Sequence, residues 1–342
     1  MKNEFEFIET IRRKYNLSKI GDDCAVLPKD SKTDLVITTD LLVEDIDFKL
    51  EWSKPEFIGH KALAVSLSDV AAMGAKPVWA MLSIGVPEAV WKTDFVERFY
   101  DGYMSLAKKF DVELIGGDVS RTPDKIVIDS IVAGEVKKGK AILRSGAKVG
   151  DLIFVTGDLG NAAAGLKLLE NGEKFDTSKH QNLLLRQLAP NPQTEIGQIF
   201  GERNLATAMI DLSDGLSSDL AHLCQSSKVG AKIYTDKIPF QKAIINRKHR
   251  TPKSEPSASA GGLDADSLQV YQDSEKLHLA LNGGEDFELL FTVNQKKYFQ
   301  VQNEFKIRKF SHIGEITANA EIIELIHGKK SEILQPKGFR HF

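Results

Sequence analysis

The chain has 342 residues, of which 42% are hydrophobic and 27% are charged, and its formal net charge is −3. A chain of this length can form two domains with separate hydrophobic cores. Without a basic excess, the sequence argues against nucleic acid or an anionic membrane surface as a partner.

The N-terminal segment and the cysteines indicate where the protein is expected to work. Residues 1–16, MKNEFEFIETIRRKYN, are amphipathic but charged throughout, which is typical of neither a signal peptide nor a membrane span. The two cysteines, Cys24 and Cys224, lie in unrelated contexts and predict neither a disulfide framework nor a zinc site. A reducing cytoplasm is therefore the expected location.

Strands and helices are predicted to alternate along the first 150 residues. One predicted helix ends at Gly74, and the next begins near Thr93 and carries aromatic residues at helical spacing. A polar, glycine-rich stretch at 137–150 is predicted to join an N-terminal domain, residues 1–138, to a C-terminal domain, residues 139–342. The predicted strands are 34–39, 80–87, 112–117 and 126–136, and the predicted helices start at about residues 55 and 93.

The C-terminal domain is predicted to begin with a second α/β unit at residues 151–170. AMIDLSDGLSSDL, residues 208–220, predicts a strand, an acidic turn and a helix. The inner face of that helix is expected to carry Leu216, Leu220, Leu223 and Cys224. Further strands are expected at 230–239, at KLHLALNGG (276–284) and at FELLFTV (287–293). A mobile surface insertion is predicted at about 241–275, where Ser, Pro, Ala and Gly predominate.

Six acidic clusters recur along the chain. Each cluster alone is better explained by turns and helix caps. However, five of the six end or follow strand-forming runs, and α/β sheets bind ligands at strand ends. Asp69 lies in an otherwise almost uncharged helix, so its carboxylate is expected to be partly buried and to need a partner. The clusters are GDDC (21–24), TTD (38–40), SLSD (66–69), GGD (116–118), DLSD (211–214) and GGED (283–286).

Oxygen ligands without His or Cys suit a hard cation such as Mg²⁺, Ca²⁺ or Mn²⁺. Because Mg²⁺ is usually held by a few carboxylates together with substrate phosphates, the clusters favour nucleotide chemistry. The sequence contains no P-loop, dinucleotide-binding, protein-kinase or nucleophile-elbow motif. The glycine turn TGDLGNAAAG (156–165) and Arg144 are further candidates for phosphate contacts. Tight packing of the glycines and surface exposure of the arginine are equally good explanations.

In this order the clusters resemble the thiamine-monophosphate kinase family, in the superfamily of aminoimidazole ribonucleotide synthetase and selenophosphate synthetase. The resemblance runs nearly end to end, through IGDDCAVL, GHKALAVSLSDVAAMGAKP, RSGAKVGD, IDLSDGL, NGGEDFELLF and KGFRHF. It implies phosphorylation of thiamine monophosphate by ATP, with several Mg²⁺ ions. It also implies an α/β (α+β) fold of two domains, with the N-terminal sheet joining that of a dimer mate and a mixed α/β C-terminal domain.

The resemblance further implies roles for single residues. Asp47 stands where the family commonly has a substrate-contacting His, and an Asp there either attracts the cationic thiazolium or faces solvent. Asp219, one turn into its helix, is expected to be structural. The implied metal contacts are Asp23, Thr38, Thr39, Asp40, Asp69, Asp118, Asp211 and Asp214. The implied ATP contacts are Gly117, Asp118, Arg144 and Ser213, and the implied contacts at the thiamine end are Glu285 and Phe339.

The implied chemistry is direct phosphoryl transfer, and no catalytic nucleophile or general base is expected. The attacking group is a phosphate oxygen with a second pKa of about 6, so it is largely deprotonated at neutral pH. One alternative is another ATP-using enzyme of the superfamily, although selenide chemistry would favour an N-terminal Cys that the first 20 residues lack. The other is a non-catalytic nucleotide- or Mg²⁺-binding protein, which would not need all six clusters.

Overall fold

The structure is a computed structural model that describes residues 4–240, 265–304 and 310–338. Its strands form two mixed sheets, one from residues 25–137 and one from residues 152–333. None of the described helices combines the length and the apolar character that a membrane crossing requires.

The N-terminal sheet has five strands in the order β1-β2-β5-β3-β4, with β3 and β4 parallel and the other neighbours antiparallel. Its strands are β1 (Ala25–Pro28), β2 (Thr33–Val43), β3 (Lys76–Pro87), β4 (Glu113–Thr122) and β5 (Val127–Lys137). The helices of this region are α1 (Glu4–Tyr15), α2 (Pro55–Ala72), α3 (Glu88–Trp91) and α4 (Phe95–Lys109). The strands and the two long helices predicted here are confirmed, but β2 and β4 extend further than predicted, so TTD and GGD lie inside strands rather than in turns.

Alternation along β2 gives the N-terminal sheet two different faces. Val36, Thr38 and Leu42 are buried under α2 and α4, whereas Leu41, on the opposite face, is 60% exposed. Leu27 and Met81 also lie on that opposite face, and each is 37% exposed. The helix-covered face is called the inner face below, and the other is called the outer face.

Helix α2 is the element that connects the two sheets. It is buried over most of its length and contacts α4 on one side and α6, α7 and β7 on the other. The crossing with α4 is close, because a Cβ at Gly59 would lie 1.9 Å from the carbonyl oxygen of Phe99. Side chains along α2 therefore reach groups of both sheets.

The C-terminal sheet has seven strands in the order β12-β11-β8-β10-β6-β9-β7, with β11 and β8 parallel and the other neighbours antiparallel. The strands are β6 (Leu152–Thr156), β7 (Ala208–Asp211), β8 (Gly230–Tyr234), β9 (Leu289–Val293), β10 (Phe310–Thr317), β11 (Ile323–His327) and β12 (Lys330–Ile333). The helices are α5 (Asn161–Glu170), α6 (Gln181–Leu188), α7 (Thr194–Arg203), α8 (Leu216–Ser227), α9 (Ala265–Asn282) and α10 (Tyr298–Glu304). The prediction for the inner face of α8 is confirmed, because Leu216, Leu220, Leu223 and Cys224 are all buried.

The predicted strand KLHLALNGG is wrong, because residues 276–282 form the end of helix α9. The leucines alternate, which favours a strand, but Lys276, Leu279 and Ala280 are spaced for one helical face and are buried. Gly283 continues that face, where a Cβ would lie 2.4 Å from the Cβ of Ala163 in α5. Helical residues also replace the predicted insertion from 265 onward, and residues 241–264 lie outside the described ranges.

Candidate active site

Four predicted metal ligands meet where α2 passes between the sheets. Asp23 precedes β1, Asp40 lies in β2, Asp69 in α2 and Asp211 at the end of β7. Carboxylate oxygens of Asp23, Asp69 and Asp211 all lie within 4.8 Å of one another. Asp40 is close enough to Asp69 to repel its charge. The structure therefore brings acidic residues of both sheets into one group, called the carboxylate cluster below.

Hydroxyl groups orient the carboxylate cluster. Thr38 Oγ1 donates to Asp69 Oδ2 at 2.5 Å, and Ser66 Oγ donates to Asp40 Oδ2 at 2.7 Å. Two residues further along α2, Ser68 Oγ donates to Asp211 Oδ2 at 2.7 Å. The small residues of α2 thus supply the hydrogen bonds that buried carboxylates require.

Burial and mutual repulsion make the cluster electrostatically unfavourable on its own. Desolvation by burial raises the pKa of Asp40 to about 6 and that of Asp211 to about 8, with repulsion from neighbouring carboxylates in the same direction. Burial, followed by the charges of Asp40, Asp211 and Asp23, raises the pKa of Asp69 well above its ordinary value. Four carboxyl groups, of which Asp23 and Asp211 are buried and the other two are half-buried, therefore compete for too little positive charge.

Arg144 supplies part of that positive charge. Its Nη2 donates to Asp23 Oδ1 at 2.7 Å, and its Nε donates to the same oxygen at 3.2 Å. Burial raises the pKa of Asp23, and the arginine offsets part of this effect. The sequence patterns favoured a phosphate contact or a surface position for Arg144, and they did not predict its pairing with Asp23.

The cluster fits a hard divalent cation. Its donor atoms are all oxygens, which is the preference of Mg²⁺ and Ca²⁺. Asp23 Oδ2 is buried, and none of the described residues donates a hydrogen bond to it. A cation coordinated by this oxygen and by the oxygens of Asp69 and Asp211 would satisfy the orphan acceptor and reduce the repulsion.

A cavity of about 460 Å³ lies beside the cluster, between the N-terminal loop at 45–53 and the C-terminal helices. Asp40, Ser213 and Asp214 line it near the cluster, and Lys61 and Glu285 line it elsewhere. Apolar side chains complete the walls, among them Phe48, Trp52, Leu188 and Phe287. The cavity thus combines an acidic metal-binding region with a partly apolar compartment of small-molecule size.

Glu285 lies on a segment with an unusual backbone. Gly284, Glu285 and Phe287 have φ values of +67°, +56° and +48°, and such conformations cost about 1 kcal/mol or more in residues other than glycine. Lys61 Nζ lies 2.6 Å from Glu285 Oε1, and Gln187 donates to the other carboxylate oxygen. Contacts from two helices thus fix a predicted substrate contact in the cavity wall.

The next two acidic residues anchor the same segment. Asp286 accepts hydrogen bonds from the backbone N–H groups of Gly160, at 2.6 Å, and Ala162, at 3.1 Å. Glu288 accepts from Thr156 Oγ1 at 2.6 Å and from Arg186 Nη1 at 3.1 Å. The N-terminus of α5, considered above as a phosphate site, is therefore occupied by a carboxylate of the chain itself.

Two predicted metal ligands lie on the outer face, away from the cluster. Thr39 Oγ1 donates to Asp129 Oδ1 at 2.6 Å. Asp118 pairs across β4 and β3 with Ser83, which in turn pairs with Asp129 on β5. Residues paired in this way point to the same side of a sheet, so Asp118 and Asp129 share the outer face.

The remaining predicted residues have mixed surroundings. Asp47 lines the cavity, and its Oδ2 accepts from the backbone N–H of Val43 at 2.7 Å. Asp219 accepts from the N–H groups of Gly215 and Asp214, which agrees with a structural role at the start of α8. Phe339 lies outside the described residues. Gly117 lies on the exposed strand β4, where a Cβ would be 1.8 Å from Leu82 O.

The patterns that identified the acidic clusters missed several of their partners. In the sequence Lys61 is recognisable only as one of the few basic residues near the clusters, and no pattern identifies Gln187, Arg186 or Asp129. One signal was available for Lys61, because it is a charged residue in the same apolar helix as Asp69. The same reasoning that predicted a partner for Asp69 applies to this lysine.

Comparison with known proteins places this arrangement in context. Residues 21–136 match the AIR synthase related protein, N-terminal domain, and residues 148–326 match the AIR synthase related protein, C-terminal domain. The chain is 37% identical to thiamine-monophosphate kinase of Buchnera aphidicola subsp. Schizaphis graminum over 99% of both chains. It is 38% identical to the enzyme of that name from Escherichia coli (strain K12), over 94% of this chain and 91% of the relative.

Among solved structures, the fold is similar to that of AaThiL complexed with AMPPCP and TMP. The TM-score is 0.81 and the sequence identity 31%, with 99% of this chain and 97% of the other covered. The similarity therefore extends over both sheets.

Proposed function

The chain belongs to the AIR synthase related protein family, and within it to the thiamine-monophosphate kinases, and from this membership we propose that it transfers the γ-phosphate of ATP to thiamine monophosphate. The products are thiamine diphosphate and ADP. The observation that carries the proposal is the carboxylate cluster beside a cavity that also contains Glu285. A relative that covers nearly the same length binds the ATP analogue AMPPCP together with TMP.

The cavity suits a substrate with a phosphate at one end and a cationic ring at the other. Ser66, which holds Asp40, and Lys61, which holds Glu285, are five residues apart on α2. At 1.5 Å per residue this separation is about 7.5 Å along the helix, which matches the scale of a small phosphate ester. The phosphate would lie toward Asp40 and Asp214, and the thiazolium ring would lie toward Glu285.

We further propose that the cluster holds Mg²⁺. Asp23, Asp40, Asp69 and Asp211 would supply carboxylate oxygens, Asp214 would contribute from the cavity wall, and Thr38 orients Asp69. Bound Mg²⁺ ions would reduce the repulsion between two phosphate groups and stabilise the transferring phosphoryl group. Ser66 and Ser68 keep two of the carboxylates in place before any cation binds.

Transfer is proposed to be direct, without a phosphorylated protein. The thiol nearest the cluster, Cys24, is buried, and burial together with the charges of Asp69 and Asp23 raises its pKa well above the ordinary value. It therefore stays protonated and is a poor nucleophile. The phosphate of thiamine monophosphate is itself largely ionised at neutral pH and needs no general base. Labelled phosphate trapped on the denatured protein after incubation with ATP would contradict direct transfer.

The nucleotide is proposed to contact Arg144, Ser213, Gly117 and Asp118. Arg144 and Ser213 lie near the cluster, whereas Gly117 and Asp118 lie on the exposed strand β4. Thr39 and Asp118 are proposed to contact metal ions from the outer face, where Asp129 accepts a hydrogen bond from Thr39 and lies on the far side of β3 from Asp118.

We propose that the outer face packs against a second copy of the chain. The support is its apolar character, since Leu27, Leu41 and Met81 are exposed there. Sedimentation equilibrium is expected to give twice the mass of the chain, and Leu41→Lys is expected to shift the equilibrium toward the monomer because it places a charge in the contact. A wild-type protein that stays monomeric at micromolar concentration would contradict this assembly.

Release of ADP, measured with a coupled assay, tests the activity. With ATP and Mg²⁺ present, ADP formation is expected to depend on added thiamine monophosphate. ADP release that does not require this substrate would favour another ATP-using activity of the superfamily. Nucleotide binding without any ADP release would favour a non-catalytic binding protein.

A further inference from the structure

We propose that Lys61 is a positioning residue for substrate recognition, which pairs with Glu285 from across the domain boundary and keeps its carboxylate directed into the cavity. The inference rests on the proposed function and deepens it. Lys61 belongs to helix α2 of the N-terminal region, and Glu285 belongs to the segment before β9 in the C-terminal region. The pair thus joins the two halves of the chain within the wall of the cavity.

The surroundings of Lys61 leave it few partners. The residue is 3% exposed, between apolar neighbours of α2 such as Ile58 and Leu63. Its Nζ lies 2.6 Å from Glu285 Oε1 and donates to the backbone carbonyl of Asp47 at 3.1 Å. A buried ammonium is costly unless it is paired and hydrogen-bonded, so this lysine favours the conformation that brings Glu285 toward it.

Glu285 retains capacity for a further contact. Lys61 occupies one carboxylate oxygen and Gln187 the other, but a carboxylate offers about four lone-pair sites. Its side chain is 32% exposed and lines the cavity. The remaining lone pairs are therefore available to a substrate group that carries positive charge or donates a hydrogen bond.

The backbone of Glu285 explains why an external support is needed. Both Glu285 and Phe287 have positive φ values, a conformation that residues other than glycine disfavour. The hydrogen bonds of the Asp286 and Glu288 carboxylates fix the backbone that follows Glu285. Lys61 fixes the side chain of Glu285, which faces the cavity. Without the lysine, Glu285 keeps only the hydrogen bond from Gln187 on its side chain, so other rotamers become accessible and the cationic ring of the substrate loses its oriented partner.

The test compares Lys61→Met with the wild type in the ADP-release assay. The KM for thiamine monophosphate is expected to rise about tenfold, while the KM for ATP changes by less than about twofold. Lys61→Arg is expected to restore most of the affinity, because it keeps the charge. Lys54→Met is the matched control, since Lys54 also forms a 2.6 Å ion pair between the two halves of the chain, with Asp176, but does not line the cavity.

A double-mutant cycle with Glu285→Gln shows whether Lys61 acts through Glu285. The double variant Lys61→Met/Glu285→Gln is expected to have about the same KM for thiamine monophosphate as either single variant. Additive effects would overturn the proposal and would indicate a direct contact between Lys61 and the substrate. An unchanged KM in Lys61→Met would overturn it as well.

Folding of the variants is followed by thermal denaturation. If Lys61→Met does not fold, the test uses Lys61→Arg and the double variant Lys61→Met/Glu285→Gln, in which both charges are removed. A double variant with the wild-type KM for thiamine monophosphate would overturn the proposal. A wild-type protein that releases no ADP with thiamine monophosphate would instead contradict the proposed function.

Discussion

Asp69→Asn is expected to lower kcat for ADP formation by about 10²–10³-fold while raising the melting temperature of the Mg²⁺-free protein. Asp69 is central to the carboxylate cluster, since the charges of Asp23, Asp40 and Asp211 all act on it. Asparagine keeps the shape and can still accept the hydrogen bond from Thr38, but it removes a half-buried negative charge. Activity falls because a metal ligand is lost, and stability rises because repulsion is lost.

The opposite signs of the two effects distinguish a ligand from a structural residue. Circular dichroism and thermal denaturation in EDTA measure the stability, and the coupled assay measures the activity. Asp111→Asn serves as the control, because the Asp111 side chain is 89% exposed and forms a surface ion pair with Lys76. A folded Asp69→Asn protein with wild-type kcat would show that the cluster is not the active site. An unfolded one would show that Asp69 is structural.

The Mg²⁺-free protein is expected to lose stability as the pH rises from about 4 to 8. Burial raises the pKa of Asp40 to about 6 and that of Asp211 to about 8, above their values in the unfolded chain. The folded state therefore binds these protons more tightly, and its free energy of unfolding falls as the pH rises through this window, by up to about 1.4 kcal/mol per pH unit for each group. Melting temperatures measured in EDTA across this range test the direction.

Mg²⁺ is expected to reverse the loss at pH 8 and to have a smaller effect at pH 5.5, where protons compete for the same oxygens. Burial also raises the pKa of Asp286 to about 6 and that of Glu288 to about 7. The stability contribution of these two groups also falls as the pH rises. Mg²⁺ is not expected to restore this part, because Asp286 and Glu288 bind the N-terminus of α5, Thr156 and Arg186 and not the proposed cation. Asp211→Asn is expected to remove most of the Mg²⁺-dependent part. A Mg²⁺ effect that is equal at both pH values would contradict metal binding by these carboxylates.

Much of the fold follows from local patterns in the sequence. Strand-forming runs and helical spacing predicted four of the five strands of the N-terminal sheet, all except β1, together with the two long helices that cover it and the buried face of α8. The isolated charge in an apolar helix predicted that Asp69 has a partner, and Thr38 is one such partner, whereas the neighbouring carboxylates repel Asp69. Composition and the spacing of the acidic clusters indicated only that the chemistry involves a hard cation and favoured a nucleotide substrate. The activity itself was predicted from the resemblance to a known family.

Local patterns failed where two periodicities competed. The alternating leucines before Gly283 favour a strand, yet burial of Lys276, Leu279 and Ala280 against other helices selects α9. Conversely, alternation along β2 already required that Thr39 point away from Thr38 and Asp40. A reading of TTD as a single turn overlooked this, and the structure places Thr39 beside Asp129 on the outer face.

The sequence by itself determined which residues are acidic, which segments are apolar and where turns interrupt them, because these properties depend on neighbours in the chain. The tertiary structure decided which charges meet. Arg144 pairs with Asp23 at a separation of 121 positions, and Lys61 pairs with Glu285 across the two halves of the chain. Such pairs depend on how α2 packs between the two sheets, and a buried charge requires a partner without specifying which residue supplies it.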